Sequence, residues 1–306
     1  MTRTVDGSDF ASAAMMRLVA AGLSRQGISL PVPTSATAHV PRVAKRDVLG
    51  EILAAHGPLA ILSIADAARA MAPEPVVQAL TCSKDMPDLM DRWHRLERFS
   101  HGRHTIVAEQ LGADSFRLTH QARDGGPPPS LAVSLLVLGL LTVLTEMIGS
   151  TGVKLANAQG EVWRNHGKWH RLDVTPRIGS VILTATGKPS AAGETVEGLE
   201  PDPVSNLRKR LVADPVRRWT VASLAAENGV SPRTLQRRLT ERSISFSRLV
   251  AEARVEVAAT QLCKADGPSL AEIGFIAGFA DQAHFARTFS RAVGRTPSGY
   301  RADFGQ

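Results

Sequence analysis

The chain has 306 residues, enough for two domains that each bury a core of their own. It contains 36 Lys and Arg against 29 Asp and Glu, a formal charge of +7 at neutral pH. Sixteen of the basic and ten of the acidic residues lie from Pro201 onward, so the basic excess is concentrated in the last third. Such a segment suits nucleic acid, because counterion release favours binding, although a solvated basic surface has the same composition.

Three features argue against a secreted or membrane-spanning protein. Cys82 and Cys263 fall in different predicted domains, which is typical of reduced thiols in a cytoplasmic protein. The N-terminal sequence MTRTVDGSDF lacks the continuous apolar core of a signal peptide. Residues 131–145 are apolar and uncharged, but they are fewer than the ~20 residues that span a bilayer. We therefore expect a buried helix at 131–145 and no membrane partner.

The first part of the chain predicts five helices, since apolar residues recur every three or four positions between breaks rich in Pro and Gly. They span residues 8–27, 42–56, 61–71, 75–82 and 86–99. The pattern then alternates, and residues 104–109 and 115–123 flank the turn LGAD and predict a β-hairpin. After the apolar helix, strand patterns return at residues 153–158, 161–163, 169–174 and 178–185. Residues 1–185 therefore predict an α+β domain.

A change of composition separates this domain from the rest of the chain. Residues 186–203 (TGKPSAAGETVEGLEPDP) combine Gly, Pro, Ser and acidic residues without an apolar period. Such a segment buries too little surface to offset the entropy lost on ordering, so we expect a flexible linker. Helical patterns resume at Val204, which predicts an all-α domain over residues 204–306.

Two helix-turn-helix motifs are predicted in the all-α domain, at about residues 220–240 and 269–292. The motif needs a small residue where its helices cross, a residue that tolerates positive φ in the turn, and an apolar residue in the second helix. These positions are Ala225, Gly229 and Leu235 in the first motif and Gly274, Gly278 and Phe285 in the second. The two turn glycines lie 49 residues apart, so we interpret the motif as a duplicated unit.

The second helix of the downstream motif has two chemically different faces. Phe285, Phe289 and Val293 recur every four residues and are expected to face inward, after an N-cap at Asp281. The polar residues of the opposite face are Gln282, His284, Arg287 and Arg291. A short helix that presents Gln and Arg outward fits the major groove of DNA.

The closing sequence IGFIAGFADQAHFARTFSRAVGRTPSGYR and the duplicated motif together resemble the AraC family of bacterial transcription regulators. The resemblance covers about residues 203–306. Residues 1–185 resemble, more faintly, the N-terminal effector-binding and dimerisation region found in one branch of the family. The resemblance implies a cytoplasmic, nucleoid-associated homodimer that binds promoter or operator DNA, contacts RNA polymerase and activates transcription under the control of a small molecule.

The resemblance also implies which residues contact DNA. In the family, outward positions of both recognition helices contact bases. Those positions are Arg233, Gln236 and Arg237 in the first motif and Gln282, His284 and Arg287 in the second. Arg can bond guanine and Gln adenine through two hydrogen bonds, which discriminate against a wrong base by ~1–3 kcal/mol. Because many protein–DNA hydrogen bonds go to the backbone, phosphate contacts are expected from Thr234, Arg238, Arg291 and Arg295.

An uninterrupted helix is predicted between the two motifs, at residues 246–264. A helix of that length spans ~28 Å, and one turn of B-DNA spans ~34 Å. The helix could therefore hold two recognition helices near successive major grooves, with slight bending of the DNA.

Other kinds of site receive little support. The close histidine pairs, His101 with His104 and His166 with His170, lack helical spacing and accompanying Cys or carboxylate clusters, so we predict no metal site. The sequence has no P-loop, nucleophile elbow or dinucleotide-binding glycine pattern, so we predict neither a cofactor nor an enzyme. A DNA repair enzyme would need a reactive cysteine, and both cysteines fall in apolar helical patterns.

The role of the N-terminal domain stays open between two hypotheses. In the first, the domain binds a small-molecule effector in a pocket that includes Trp93, Trp163 and Trp169, although large aromatic residues more often belong to a core. In the second, the regulator is independent of any ligand, and the domain serves only to dimerise or to dock a partner protein.

Overall fold

The computed structural model describes residues 10–30, 32, 39–69, 75–99, 103–172, 177–187, 203–264 and 267–304. The chain divides into two compact units, Met1–Ala191 and Ala192–Gln306. In its described residues the first unit combines helices with antiparallel sheet, and the second unit is helical. The α+β and all-α classes predicted for the two parts of the chain are thus confirmed. Most of the predicted linker, 186–203, lies outside the described residues.

Five α-helices are described in the first unit, and a 3-10 helix at Ala65–Arg69 follows the second of them. They are α1 (Ala13–Arg25), α2 (Arg42–Ile64), α3 (Pro75–Thr81), α4 (Met86–Phe99) and α5 (Leu131–Met147). The strands are β1 (Phe10–Ser12), β2 (His39–Pro41), β3 (His104–Gly112), β4 (Ser115–Ala122), β5 (Lys154–Asn157), β6 (Val162–Asn165), β7 (Lys168–Trp169) and β8 (Val181–Thr184). Strands β1 and β2 pair with each other, and the other six form an antiparallel sheet in the order β3-β4-β8-β5-β6-β7.

Helix α2 contains the predicted helix 42–56 and the first four residues of the predicted helix 61–71, which the sequence predicted separately. Gly57 interrupts it with φ 77° and ψ 178°, and Pro58 follows, so the break lies where the sequence predicts one. Residues 46–69 are long and apolar enough to cross a membrane by length and composition alone, a criterion that core helices also meet. In this structure 39% of that stretch is buried, and α2 packs against α5.

Helix α5 is the central element of the first unit. The Ser130 side chain accepts a hydrogen bond from the Val133 N–H and caps its start, and every residue from 132 to 145 except Val133 is buried. Gly139 permits a close approach to α2, since a Cβ there would lie 3.3 Å from the Leu62 carbonyl oxygen. The prediction of a buried helix at 131–145 is confirmed.

The second unit contains seven described helices. They are α6 (Pro203–Ala213), α7 (Val221–Glu227), α8 (Pro232–Glu241), α9 (Phe246–Leu262), α10 (Leu270–Ile276), α11 (Gln282–Val293) and α12 (Pro297–Phe304). Helix α9 contacts α6, α10, α11 and α12. It corresponds to the predicted helix 246–264 and ends two residues earlier, at Leu262. Its 17 residues span ~26 Å and connect the two helix-turn-helix motifs.

Candidate nucleic-acid interface

The first module consists of α7, a turn and α8. Thr220 and Ser223 form a capping box that begins α7. Gly229 lies in the turn with φ 62°, a conformation that costs glycine little. The Ser231 side chain then accepts a hydrogen bond of 3.1 Å from the N–H three residues later, and Pro232 occupies the first position of α8. The sequence of this short segment thus fixes where the recognition helix α8 starts.

The second module repeats this construction in α10, a turn and α11. Ser269 and Glu272 form the capping box, and Gly278 lies in the turn with φ 78°. Asp281 caps α11 by accepting a hydrogen bond of 2.7 Å from the His284 N–H. The capping box, the turn glycine and the N-cap therefore recur in the same order, with one additional residue between the turn glycine and the N-cap.

The two recognition helices also bury equivalent positions. Leu235 and Leu239 of α8 are buried, as are Phe285 and Phe289 of α11. The described side chains exposed on the opposite faces are Pro232, Arg233, Gln236, Arg237 and Thr240 in α8 and Gln282, Ala283, Ala286, Arg287 and Arg291 in α11. Five of the six residues predicted to contact bases are therefore exposed, and His284 is half-buried.

His284 is held by the turn that precedes its helix. Its Nδ1 accepts a hydrogen bond from the Ala280 N–H at 3.3 Å, and its ring meets Phe279 edge-on with the centroids 5.4 Å apart. Burial lowers the pKa of the imidazole, and the positive charges of Arg254 and Arg287 add to this effect. The ring is accordingly neutral at neutral pH, and with Nδ1 accepting, the proton lies on Nε2.

The repeat extends to a third helix in each module, of which the sequence predicted α9 but not α12. A residue with positive φ follows the recognition helix in both modules. It is Ser243 with φ 55° after α8 and Gly294 with φ 77° after α11. Ser245 and Thr296 then cap α9 and α12 by accepting hydrogen bonds of 3.2 and 3.1 Å from the N–H three residues on. The pattern of a Ser or Thr cap with a second Ser two residues later, present in both segments, was the signal available for this.

Comparison with known proteins identifies this part of the chain. Residues 224–303 match the family model of a helix-turn-helix domain. The transcriptional activator AggR of Escherichia coli is 27% identical over 159 residues, which cover 51% of this chain and 59% of AggR. The regulator GadX of E. coli K12 is 32% identical over 83 residues, which cover 27% of this chain and 30% of GadX. The chain thus spans less than two thirds of the length of these relatives.

The second unit contains an AraC-type helix-turn-helix domain. An uncharacterized HTH-type regulator of Mycobacterium tuberculosis, Rv1395, is 34% identical over 94 residues, which cover 31% of this chain and 27% of that protein. Among solved structures, the regulator CdpR from Pseudomonas aeruginosa is 15% identical and covers 94% of this chain and 97% of its own, with a TM-score of 0.37. The DNA-binding domain of AdpA in complex with a target DNA is 25% identical and covers 34% and 94%, with a TM-score of 0.30.

The residues predicted to contact phosphate lie at the edges of the recognition helices of the AraC-type domain. Thr234 and Arg238 are half-buried, and the Thr234 hydroxyl lies 2.9 Å from that of Ser231. Arg291 and Arg295 are exposed, and the Arg295 guanidinium lies 5.7 Å from the centre of the Phe304 ring. Arg291 lies on the exposed face of α11 and Arg295 lies beyond the end of that helix. The contacts of all four residues with DNA stay predictions.

The predicted effector-pocket residues lie in two parts of the first unit. Trp93 is buried on α4 and donates to the carboxylate of Glu97, which also accepts from β3. Trp163 and Trp169 are on the neighbouring strands β6 and β7, and three strands separate these from β3 in the sheet. Trp163 is buried, whereas Trp169 is half-buried, and its indole N–H donates to Asp66 at 2.7 Å. The structure thus brings Trp163 and Trp169 to one end of the sheet and Trp93 to the other.

The cysteines and histidines form no metal-binding group of three or more in the described residues. Neither Cys82 nor Cys263 forms a disulfide within the described residues. The sequence placed both in apolar helical settings, but Cys82 directly follows the end of α3 and is exposed, and Cys263 caps α9 and is half-buried.

Proposed function

We propose that this protein is a sequence-specific DNA-binding transcription regulator whose α8 and α11 enter successive major grooves. The duplicated module carries the proposal, because each copy presents one short helix with long polar side chains on its exposed face. Helix α9 connects the two copies and spans ~26 Å, close to the ~34 Å of one turn of B-DNA. A site of two short boxes about one turn apart is the expected target.

Selection of duplexes from a random pool by the full-length protein tests this proposal. Two enriched boxes are expected, of which Arg237→Ala relaxes one and Arg287→Ala the other. Arg248→Ala is the matched control, since Arg248 is an exposed arginine that lies on α9 and pairs with Glu252 at 2.9 Å. It should leave both boxes intact. If no sequence is enriched and binding only weakens with salt, the proposal of sequence-specific recognition is wrong.

We further propose that the protein acts as a cytoplasmic homodimer whose first unit binds a small-molecule effector and thereby controls activation through RNA polymerase. Support comes from the size of the first unit and from AggR, which is named a transcriptional activator. Trp169 is the best placed of the predicted pocket residues, because it alone of the three is partly exposed.

A screen of small molecules by thermal shift and tryptophan fluorescence tests the effector. A true effector is expected to raise the melting temperature through preferential binding to the folded state and to change the emission of Trp169. Trp169→Phe should abolish the change in emission and weaken the thermal shift, whereas Trp219→Phe in the second unit serves as the control. If protein that activates a reporter shows neither response with any compound, the ligand-independent alternative is favoured.

A further inference from the structure

Among the described strands, β3 forms an edge of the six-stranded sheet and pairs with β4 alone. Every residue from 107 to 112 is exposed. Val107 and Leu111 are 44% and 43% exposed and belong to the few exposed large apolar residues in the described chain. An open strand edge that carries apolar side chains is a surface to which another strand can add.

The direction of the free backbone groups follows from one hydrogen bond. The Ile106 N–H donates to the Glu97 carboxylate of α4 at 2.9 Å, so it points away from β4. In an antiparallel ladder, the N–H and C=O of alternate residues point to the same side. The N–H and C=O of Ala108 and Gln110 therefore point outward as well, along the part of the edge that Glu97 does not cover.

We propose that β3 pairs in antiparallel orientation with β3 of a second copy of this chain, with Ala108 of each copy opposite Gln110 of the other. The inference rests on the homodimer proposed above and identifies its interface. A two-fold axis then passes between the two copies of Glu109. Four hydrogen bonds form, because each copy offers two outward donors and two outward acceptors at matching positions.

Neighbouring registers are less favourable. Moving the pairing by two residues in one direction requires the Ile106 N–H, which already donates to Glu97. Moving it by two in the other direction requires regular pairing of Gly112, and the β3–β4 ladder shifts register between Gln110 and Gly112. In the proposed register the hydrogen-bonding residues Ala108 and Gln110 precede this shift, and the exposed Val107 of each copy lies near Leu111 of the other.

The charges of the edge are compatible with self-pairing. Glu109 is the single acidic residue of β3, and Arg117 on β4 bonds to it at 2.5 Å. In the proposed dimer the two Glu109 carboxylates and the two Arg117 guanidinium groups form a row across the two-fold axis. The net charge of this row is zero. The strand sequence HTIVAEQLG contains neither Lys nor Pro, the residues with which proteins commonly block an edge strand.

Cysteine cross-linking of the full-length protein tests the register. Single substitutions Val107→Cys, Glu109→Cys and Leu111→Cys are made in a Cys82→Ser, Cys263→Ser background. Residues at a non-hydrogen-bonded pair have Cα atoms ~4.5 Å apart, within disulfide range, whereas the copies of Val107 or of Leu111 would be ~14 Å apart. Mild oxidation should give a covalent dimer for Glu109→Cys and neither of the others. Efficient cross-linking at position 107 or 111 overturns the proposed interface. A dimer in sedimentation that cross-links at none of the three positions overturns it as well. A protein that sediments as a monomer overturns both the interface and the proposed homodimer.

A proline at position 108 provides an independent test. Because the Ala108 N–H faces the open edge, Ala108→Pro removes a donor to the second copy and leaves the β3–β4 ladder intact. The dimer dissociation constant from sedimentation equilibrium should rise about tenfold or more, while Ala108→Ser, which keeps the N–H, should leave it unchanged. Melting temperature and far-UV circular dichroism report whether each variant is folded. An unchanged constant for folded Ala108→Pro overturns the proposal.

Discussion

The two helix-turn-helix modules share one backbone frame and differ in what fills it. The first has an aliphatic interior around Leu235 and Leu239. The second has a row of aromatic rings in which Phe279 contacts Phe285, Phe285 contacts Phe289 and Phe289 contacts Tyr300, with centroids 5.0, 5.8 and 5.4 Å apart. Caps and turn glycines recur because they determine where the helices begin and end, whereas any well-packed apolar set can fill the interior.

The exposed faces of the two recognition helices differ more. Helix α8 carries Arg233 and Gln236 where α11 carries Ala283 and Ala286 at the equivalent positions. An alanine can contact a thymine methyl group, but it makes no hydrogen bond to a base. We therefore propose that α8 makes more of the hydrogen bonds to bases and that α11 contributes proportionally more contacts to the DNA backbone.

The turn glycines give the largest expected difference between the modules. A Cβ at Gly278 would lie 1.9 Å from the Pro215 carbonyl oxygen, whereas a Cβ at Gly229 would meet nothing within 4 Å. Gly229→Ala should cost about 1–2 kcal/mol of unfolding free energy, because of positive φ alone. Gly278→Ala should cost about 3–5 kcal/mol, since backbone has to move as well.

Urea denaturation of the fragment from residue 204 to the end measures both variants. Ala226→Gly, at an exposed position of α7, is a control for the general effect of exchanging Gly and Ala. Equal losses for the two turn glycines would show that Pro215 does not constrain the second module.

Exchanging exposed residues between the helices tests the difference in base contacts. Arg233→Ala and Gln236→Ala should each weaken discrimination in the first box by about 1–3 kcal/mol. The corresponding changes in α11, Ala283→Arg and Ala286→Gln, should alter the preferred second box. Competition binding with duplexes that carry single base changes gives these values.

Thr240→Ala is the matched control on α8, because Thr240 is exposed and its hydroxyl bonds to the Gln236 carbonyl oxygen of the same helix. If it costs as much discrimination as Arg233→Ala, the substitutions act through helix stability and the assignment of base contacts to α8 is wrong.

The AraC-type domain could be predicted closely because its signals are local. The caps at Ser231 and Asp281 and the glycines at 229 and 278 lie within a few residues of the boundaries that they fix. The predicted motifs at 220–240 and 269–292 contain α7 and α10 and all but the last residue of α8 and of α11. The half-burial and the lowered pKa of His284 were not predictable, since the first depends on contacts with the turn and the second also on the charge of Arg254, thirty residues away in the sequence.

The first unit was predicted less well because its boundaries depend on distant partners. The helix predicted at 8–27 begins at Ala13 instead, since Phe10–Ser12 pairs with His39–Pro41. Strand β7 ends at Trp169, where the sequence predicted a strand to 174, and residues 173–176 lie outside the described part. The separation of Trp93 from Trp163 follows from the strand order of the sheet, which no local pattern encodes.

The caps of the two recognition helices should have smaller and nearly equal effects. Asp281 and Ser231 each accept a hydrogen bond from the N–H three residues on, at 2.7 and 3.1 Å. Asp281→Ala and Ser231→Ala should each lower the unfolding free energy of the fragment by about 1 kcal/mol, as loss of an N-cap does elsewhere. Asp281→Asn and Ser231→Thr keep an accepting oxygen and should lose less. If these conservative changes cost as much as alanine, capping is not the cause.

The smallest expected effect is the pH dependence of the unfolding free energy. The two modules differ here because α11 has His284 at the position where α8 has Thr234. Burial and then Arg254 lower the pKa of His284, although Asp281 opposes them. Because the pKa is lower in the folded than in the unfolded state, the unfolded chain binds more protons below about pH 6.5. The unfolding free energy should therefore fall as pH decreases from 6.5 through the folded pKa and stay level above it. His284→Gln should make this dependence shallower, while Thr234→Val should not change it; an unaltered slope in His284→Gln would mean that other groups produce the dependence.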